Sequence, residues 1–443
     1  MTAPGSAALT ERMRRWVAAE PLGRVREVTG TVILVEMRGA GLGDVLEIEA
    51  SPAELARRAP ATVSAQVVGF RGEVVVAVPL APLPRIAAHA AVRRRDADSA
   101  LAVGFDLLGR VIDPFGNPLD GGPPPACSAR VQVDAPALAI AERAQVAVRM
   151  DTGVRAIDGL LTCARGQRVG VFAGAGCGKS VLVEQIAARA SADVVVFGLV
   201  GERGREVRDL MEAERRDRMV MVAATADRSP LERVRAAMAA TSIAEWFRDG
   251  GHDVLLVIDS LTRFAMALRE LGVAIGEPPA TRGYPPSVFA WMPRLVERVA
   301  PRAGGGSITA FYTVLVEGDD LVEPVADSAR ALLDAHIVLS RELASRSHFP
   351  AIDVLASASR VARRVAGPEL TALATRCREA LYRRKQALEL QSLGAYVPGA
   401  NHPLDEALAT GARIDDWARQ AADHAATFEE TVRGLTGALE PPP

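Results

Sequence analysis

The chain alternates between two kinds of apolar patterning. From Gly23 to about Leu83 the apolar positions fall in short, closely spaced runs, "GTVILVEM", "DVLEIEA", "SAQVVGF" and "EVVVAVPL". These runs are rich in β-branched residues and broken by Gly, Pro and polar turns, a pattern that predicts a small β-barrel. From about Leu101 to Ala366 the runs lengthen and become almost continuously apolar: "QRVGVFAG", "ADVVVFGLVGE", "RMVMVAATA", "HDVLLVIDS", "SITAFYTVLVEG" and "AHIVLS". Strands this uniformly apolar belong in a parallel sheet covered on both faces by helices. "GPEL" then opens a helical C-terminal region, with Pro368 near a first-turn position. At the other end, "LTERMRRWVA" puts Leu9, Met13, Trp16 and Val17 on one helical face, fit either to dock on the body or to bind a partner.

The predicted architecture is α/β: a central parallel-sheet domain covered by helices, with an N-terminal β-barrel and a C-terminal helical domain. The boundaries read as 1–22 for a helical arm, 23–92 for the barrel, 93–366 for the sheet domain and 367–443 for the helices. A chain of 443 residues accords with several domains rather than one core.

Composition narrows the function classes only slightly. A net charge of −2 supplies no broad electrostatic footprint for nucleic acid or acidic membrane. The four cysteines show no CxxC or metal-ligand spacing and read as free thiols, and the six histidines are scattered. With no long apolar segment and no leader-like start, the expected location is cytoplasmic.

One residue type stands apart. Only Lys179 and Lys385 are lysines among 52 basic residues, and Lys179 lies in "VFAGAGCGKSVL". That stretch joins an apolar strand to an amphipathic helix, and Gly174, Ala175, Gly176, Cys177, Gly178, Lys179, Ser180 and Val181 fit a phosphate-binding loop. The strict pattern has Gly where this chain has Ala173. Backbone amides of such a loop point at phosphate oxygens, and the helix N-terminus adds partial positive charge. A compact ammonium on a thin stem reaches between the β- and γ-phosphates, a task the broader guanidinium suits poorly.

Asp259 ends the strand "HDVLLVIDS", where a carboxylate can hold Mg²⁺ while the Ser180 hydroxyl ligates it; alone, such an Asp is more often a loop cap, and the phosphate loop is what points it to the metal. Glu202 ends "VVVFGLVGE" on the same sheet edge and is placed to activate water, although "ERGRE" also suits a surface ion-pair cluster. Arg360 ends "VLASASR" and could stabilise transition-state charge from a neighbouring subunit or make an ordinary surface pair.

Together "TGVRAIDGLLTCARGQRVGVFAGAGCGKS", "VGERGREV", "DSLTRFAMALRE", "GEPPATRGYPPSVF", "GSITAFYTVLVEGDD" and "HFPAIDVLASASRV" resemble type III secretion ATPases, the export ATPases of the bacterial injectisome and flagellum and relatives of rotary ATP synthase catalytic subunits. The resemblance spans Gly23 to Val365 and weakens toward both ends. It implies that the parallel-sheet domain is a RecA-like ATPase domain that hydrolyses ATP with Mg²⁺, with Glu202 polarising the water, Lys179 and Ser180 on the phosphates and metal, and Asp259 on Mg²⁺. It further implies Arg203 near the phosphates and Arg360 reaching an adjacent subunit's nucleotide. The implied assembly is a homohexamer, with "GEPPATRGYPPSVF" and Tyr284 facing a central channel that receives a coiled-coil stalk; Tyr284 could equally be a turn aromatic packed between prolines. Implied partners are a stator protein at the N-terminus, the export gate and chaperone–substrate complexes, at the cytoplasmic face of the inner membrane. "LVEGDDLVEP" and "DVLAS" lean toward the injectisome, whereas "FAMALRE" and "PPATRGYPPS" also fit the flagellar branch.

Three other readings compete. A catalytic subunit of a rotary proton-translocating ATPase would travel with a paralogous subunit in one ring. A non-catalytic regulatory subunit would lack Glu202. An RNA-translocating hexamer of the transcription-terminator type would need barrel aromatics to stack bases, and Gly23 to Leu83 contains only Phe70.

Overall fold

Alternation along the first strands closes them on themselves. In the computed structural model, which describes residues 23–50, 62–80, 86–95, 100–212, 216–316, 318, 320–397, 399 and 401–440, six antiparallel strands form a barrel. They are β1 (Gly23–Thr29), β2 (Val32–Glu36), β3 (Val45–Glu49), β4 (Thr62–Arg71), β5 (Val74–Pro79) and β6 (Ala91–Arg95), in the order β1-β2-β5-β4-β3-β6. Every second side chain points inward, so Val25, Ile33, Val35, Leu46, Ile48, Val63, Ala65, Val67 and Val92 fill one core. The four apolar runs supply β2 to β5. Strands β1 ("GRVREVT") and β6 ("AVRRR") are absent from the run-based reading because their outward positions carry charge. The N-terminal segment expected to be helical, and the last three residues of "EPPP", lie outside the described residues.

Contacts divide the chain into two compact units, one holding the barrel with residues 227–234 and 267–287, the other nearly all the remainder. The second unit contains an eight-stranded sheet of β7 (Val111–Ile112), β8 (Arg168–Ala173), β9 (Val194–Glu202), β10 (Met219–Thr225), β11 (Asp253–Asp259), β12 (Ser307–Leu315), β13 (Ala335–Val338) and β14 (Ala358–Ser359). Its order is β14-β13-β8-β12-β11-β9-β10-β7. All neighbours are parallel except β14, which runs antiparallel to β13. Strands β9 and β11 are buried almost throughout, as both-sided coverage requires.

Helix α1 (Arg155–Leu160) precedes β8, and α2 (Lys179–Arg189) and α3 (Gly204–Met211) follow β8 and β9 directly. Three C-terminal helices complete the unit: α4 (Gly367–Ser392), α5 (His402–Ala418) and α6 (Phe428–Leu439). Pro368 occupies the first turn of α4, where its missing N–H has no partner to lose. Asn401 caps α5, and Thr427 with Glu430 forms a reciprocal capping box on α6. Leu370, Cys377, Ile414, Trp417 and Leu435 from these helices join the same buried cluster as Ile157, Leu182 and Val183. No helix of the described residues is long and apolar enough to cross a membrane.

Candidate active site

The loop between β8 and α2 turns sharply because two of its glycines adopt left-handed backbone angles: φ is 81° at Gly176 and 84° at Gly178. Gly178 occupies the N-cap of α2, a conformation that costs a side-chain-bearing residue strain. Gly174 and Cys177 are buried, Ala175 and Gly176 form the exposed crest, Lys179 and Ser180 are half-buried, and Val181 is 53% exposed on the first turn of α2. Unpaired N–H groups of a helix start and the Lys179 amine therefore share one surface.

That amine lies between two acids. Lys179 Nζ hydrogen-bonds Asp259 Oδ1 and lies 3.8 Å from Glu202 Oε1. Strand pairing explains the meeting: β9 and β11 are parallel neighbours with Leu199 opposite Asp259, so both acids emerge at the sheet's C-terminal edge. Asp259 also accepts a hydrogen bond from Thr313 Oγ1 on β12 at 2.6 Å. Arg263, four residues beyond Asp259 in the following helix (Leu261–Ile275), approaches Glu202 Oε1 to 3.0 Å.

Glu202 is only 3% exposed, and both its oxygens face the Arg263 guanidinium, Oε1 at 3.0 Å and Oε2 at 3.4 Å. Burial pushes its carboxyl up to about 7. The negative charge of Asp259 and a hydrogen bond with Glu206 push the same way, against the pull of Lys179 and Arg263. A buried acid poised near neutrality beside a phosphate-binding-type loop has the properties of a proton acceptor toward a bound water.

The donor set suits a hard, small cation. Ser180 offers a hydroxyl and Asp259 a carboxylate, while no cluster of three His, Cys, Asp or Glu among the described residues could hold an ion unaided. Mg²⁺ is bound in this manner, by one or two protein oxygens together with substrate phosphates and water.

Not every expected residue joins this cluster. Arg203 is exposed at the N-cap of α3. Arg360 is exposed too, and its N–H donates to Asp334 O at 3.0 Å, at the start of β13. Because β13 runs parallel to β8, this is the sheet edge opposite the phosphate loop, about 16 Å along the strands. Among the described residues the Arg360 guanidinium makes no ion pair. Tyr284 is 6% exposed, its ring beneath the guanidinium of Arg269 from the preceding helix at 5.0 Å; the longest exposed stretch of that loop is Pro278 to Gly283.

Four contributors escape sequence reading: Arg263, Thr313, Glu206 and Phe349. The Phe349 ring is 44% exposed, and a Cβ placed on Gly178 would lie 3.4 Å from it. Only aromatic content beside a predicted phosphate loop could have signalled it, and the 170 residues separating Lys179 from Phe349 hide that proximity.

A parallel sheet presenting a glycine-rich loop, a lysine and two acids at one edge defines an ATP-binding domain of the RecA type. In agreement, the ATP synthase alpha/beta family, nucleotide-binding domain, matches residues 153–359, and the T3SS EscN ATPase C-terminal domain matches residues 366–437. The flagellum-specific ATP synthase of Pseudomonas aeruginosa is 47% identical over 86% of this chain and 85% of its own. The type 3 secretion system ATPase of Xanthomonas euvesicatoria is 43% identical over 94% of each chain. Among solved structures, assembled EscN from the type III secretion system of enteropathogenic E. coli superposes with a TM-score of 0.87 at 37% identity, covering 94% of this chain and all of that one. EscN in complex with its central stalk EscO gives 0.83, at the same identity and coverage. The chain belongs to the family of type III secretion and flagellar export ATPases.

Proposed function

We propose that this protein hydrolyses ATP with Mg²⁺ and that, as a homohexameric ring, it energises type III protein export. The observation that carries the chemistry is the meeting of Lys179, Asp259 and Glu202 at one sheet edge beside a glycine-turned loop. In this reading residues 174–181 cradle the phosphates through backbone N–H groups, and Lys179 leaves its acids to bridge the β- and γ-phosphates. Ser180 and Asp259 hold the Mg²⁺, which neutralises charge on the phosphate oxygens when bound. Glu202 orients the water and takes its proton, with Arg263 fixing its carboxylate. Phe349 offers its exposed face for the base to stack on. Arg203 leaves the same strand end and lies near the phosphates.

The opposite-edge position of Arg360 supports a role in trans: an arginine that cannot serve its own phosphate loop is free to complete a neighbour's. The barrel, 23–92, would assist assembly, and the assembled and stalk-bound EscN structures support a ring with a stalk in its channel, facing the loop that holds Tyr284. The C-terminal helices, 367–443, would receive chaperone–substrate complexes, releasing the chaperone and unfolding the cargo. The stator would bind at the N-terminus and the export gate nearby, at the cytoplasmic face of the inner membrane. The match of residues 366–437 to the secretion-type C-terminal domain favours export over a proton-translocating rotary enzyme. Relatives from injectisome and flagellum both align along most of the chain, and the injectisome lean rests on "LVEGDDLVEP" and "DVLAS".

The deciding experiment is Glu202→Gln. We expect ATP turnover to fall by at least about a hundredfold, the range a positioned general base contributes, with nucleotide affinity nearly unchanged. Wild-type turnover would remove Glu202 from the mechanism.

A further inference from the structure

The loop between α5 and α6 is fastened at three places by one buried side chain. Gln420 is 5% exposed, and its amide is fully engaged. Oε1 accepts from the Arg155 N–H at 2.9 Å, and Nε2 donates to Gly153 O at 2.7 Å and His424 O at 2.8 Å. The same residue's backbone N–H donates to Phe349 O at 2.9 Å. Arg155 Nη2 adds a bond to Arg419 O at 2.7 Å, and Ala426 N–H another to Gly153 O at 3.2 Å.

The far side of this loop is held by the helix that starts at the phosphate cradle. Gln185 of α2 donates to Ala421 O at 3.4 Å and His424 O at 3.3 Å, and Arg189 donates to Asp423 O at 3.0 Å. One loop thus touches α2 with one flank and Phe349 with the other. Any residue but proline could donate the backbone bond to Phe349; only a side chain with one acceptor and two donors aimed apart can pin that N–H on the start of α1.

We infer that Gln420 is a positioning residue for the nucleotide base, holding the Phe349 ring against the phosphate loop from the C-terminal helical segment. The inference rests on reading Phe349 as the stacking surface for the base. It assigns Gln420 no contact with the phosphates or the reacting water. Losing it frees the Phe349 carbonyl anchor, so the ring loses its fixed place beside Gly178 and binding of the base weakens while the chemistry is spared.

The test is a double-mutant cycle read by equilibrium binding of a fluorescent ATP analogue, together with KM and kcat. We expect Gln420→Ala to raise Kd and KM about tenfold, a loss of roughly 1.4 kcal/mol, with kcat within about twofold. Phe349→Ala should weaken binding by a similar factor, and the double variant should bind no more weakly than Phe349→Ala alone. Magnesium tripolyphosphate, which has no base, should bind wild type and Gln420→Ala equally. Gln420→Glu, which turns a carboxylate oxygen toward the Gly153 and His424 carbonyls in place of the donors they need, should lose at least as much as Gln420→Ala; Gln420→Met, which keeps the bulk and loses all three side-chain hydrogen bonds, serves in place of the alanine variant if that one does not fold. Additive losses in the cycle, unchanged analogue binding in Gln420→Ala, or equal loss of tripolyphosphate binding would overturn the positioning role while leaving Phe349 in place. Unchanged binding in Phe349→Ala would instead remove the stacking surface itself, and the inference with it.

Discussion

At the scale of single residues, the site works by setting charges against each other in a buried place. Glu202 is costly to ionise where it lies, and Lys179 and Arg263 bring that cost down. The sign of the resulting pH dependence follows. As the proposed base, Glu202 can take a proton only when ionised, so kcat/KM for ATP should rise with pH through about 7, the value its surroundings impose in the free protein. Arg263 lowers that carboxyl; Arg263→Ala should therefore move the rising limb to higher pH and cut the rate at neutral pH. A pH–rate profile checks both points, and a limb that stays in place would detach Arg263 from Glu202. Lys179 and Glu202 were legible in the sequence because glycine-rich turns and strand-ending acids have local signatures. Arg263 and Thr313 were not, since an arginine in the first turn of a helix and a threonine in a strand gain meaning only from what faces them.

At the scale of elements, patterning carried most of the information. The six long apolar runs of the second unit all became parallel strands, because a strand buried on both faces must be apolar at nearly every position. The barrel was legible only in part: β1 and β6 hide beneath their arginines and glutamates, with Val25 and Val92 as inward markers. The barrel core is small and closed, so truncating one of its fully buried side chains has little room to relax. Leu46→Ala should cost about 2–5 kcal/mol of barrel stability, measurable as a shift in the denaturation midpoint followed by barrel-specific probes. A shift below about 0.5 kcal/mol would mean the strands tolerate a cavity there.

At the scale of the whole molecule, the proposed ring gives the placement of Arg360 a use in a neighbouring chain. It stands at the sheet edge away from its own phosphate loop, so Arg360→Ala should lower turnover by about a thousandfold or more, the range such arginines supply, while ATP affinity is retained. Mixing Arg360→Ala with Glu202→Gln should recover part of the activity, because some interfaces then carry both intact residues. Absence of recovery at every mixing ratio would place the defect within one chain.

The sequence by itself determined which segments are strands and helices, where the phosphate loop lies and which residue types could perform hydrolysis, because those properties depend on periodicity and on neighbours a few positions away. Only the tertiary structure decided which of them meet. It brought Lys179 to Asp259 and Glu202 across 80 and 23 residues of chain, set Phe349 beside Gly178, buried Tyr284 beneath Arg269 and left Arg360 on the opposite edge. The reason is strand order: parallel pairing fixes which strand ends share an edge, and that order is settled by the burial of whole elements rather than by any local stretch of residues.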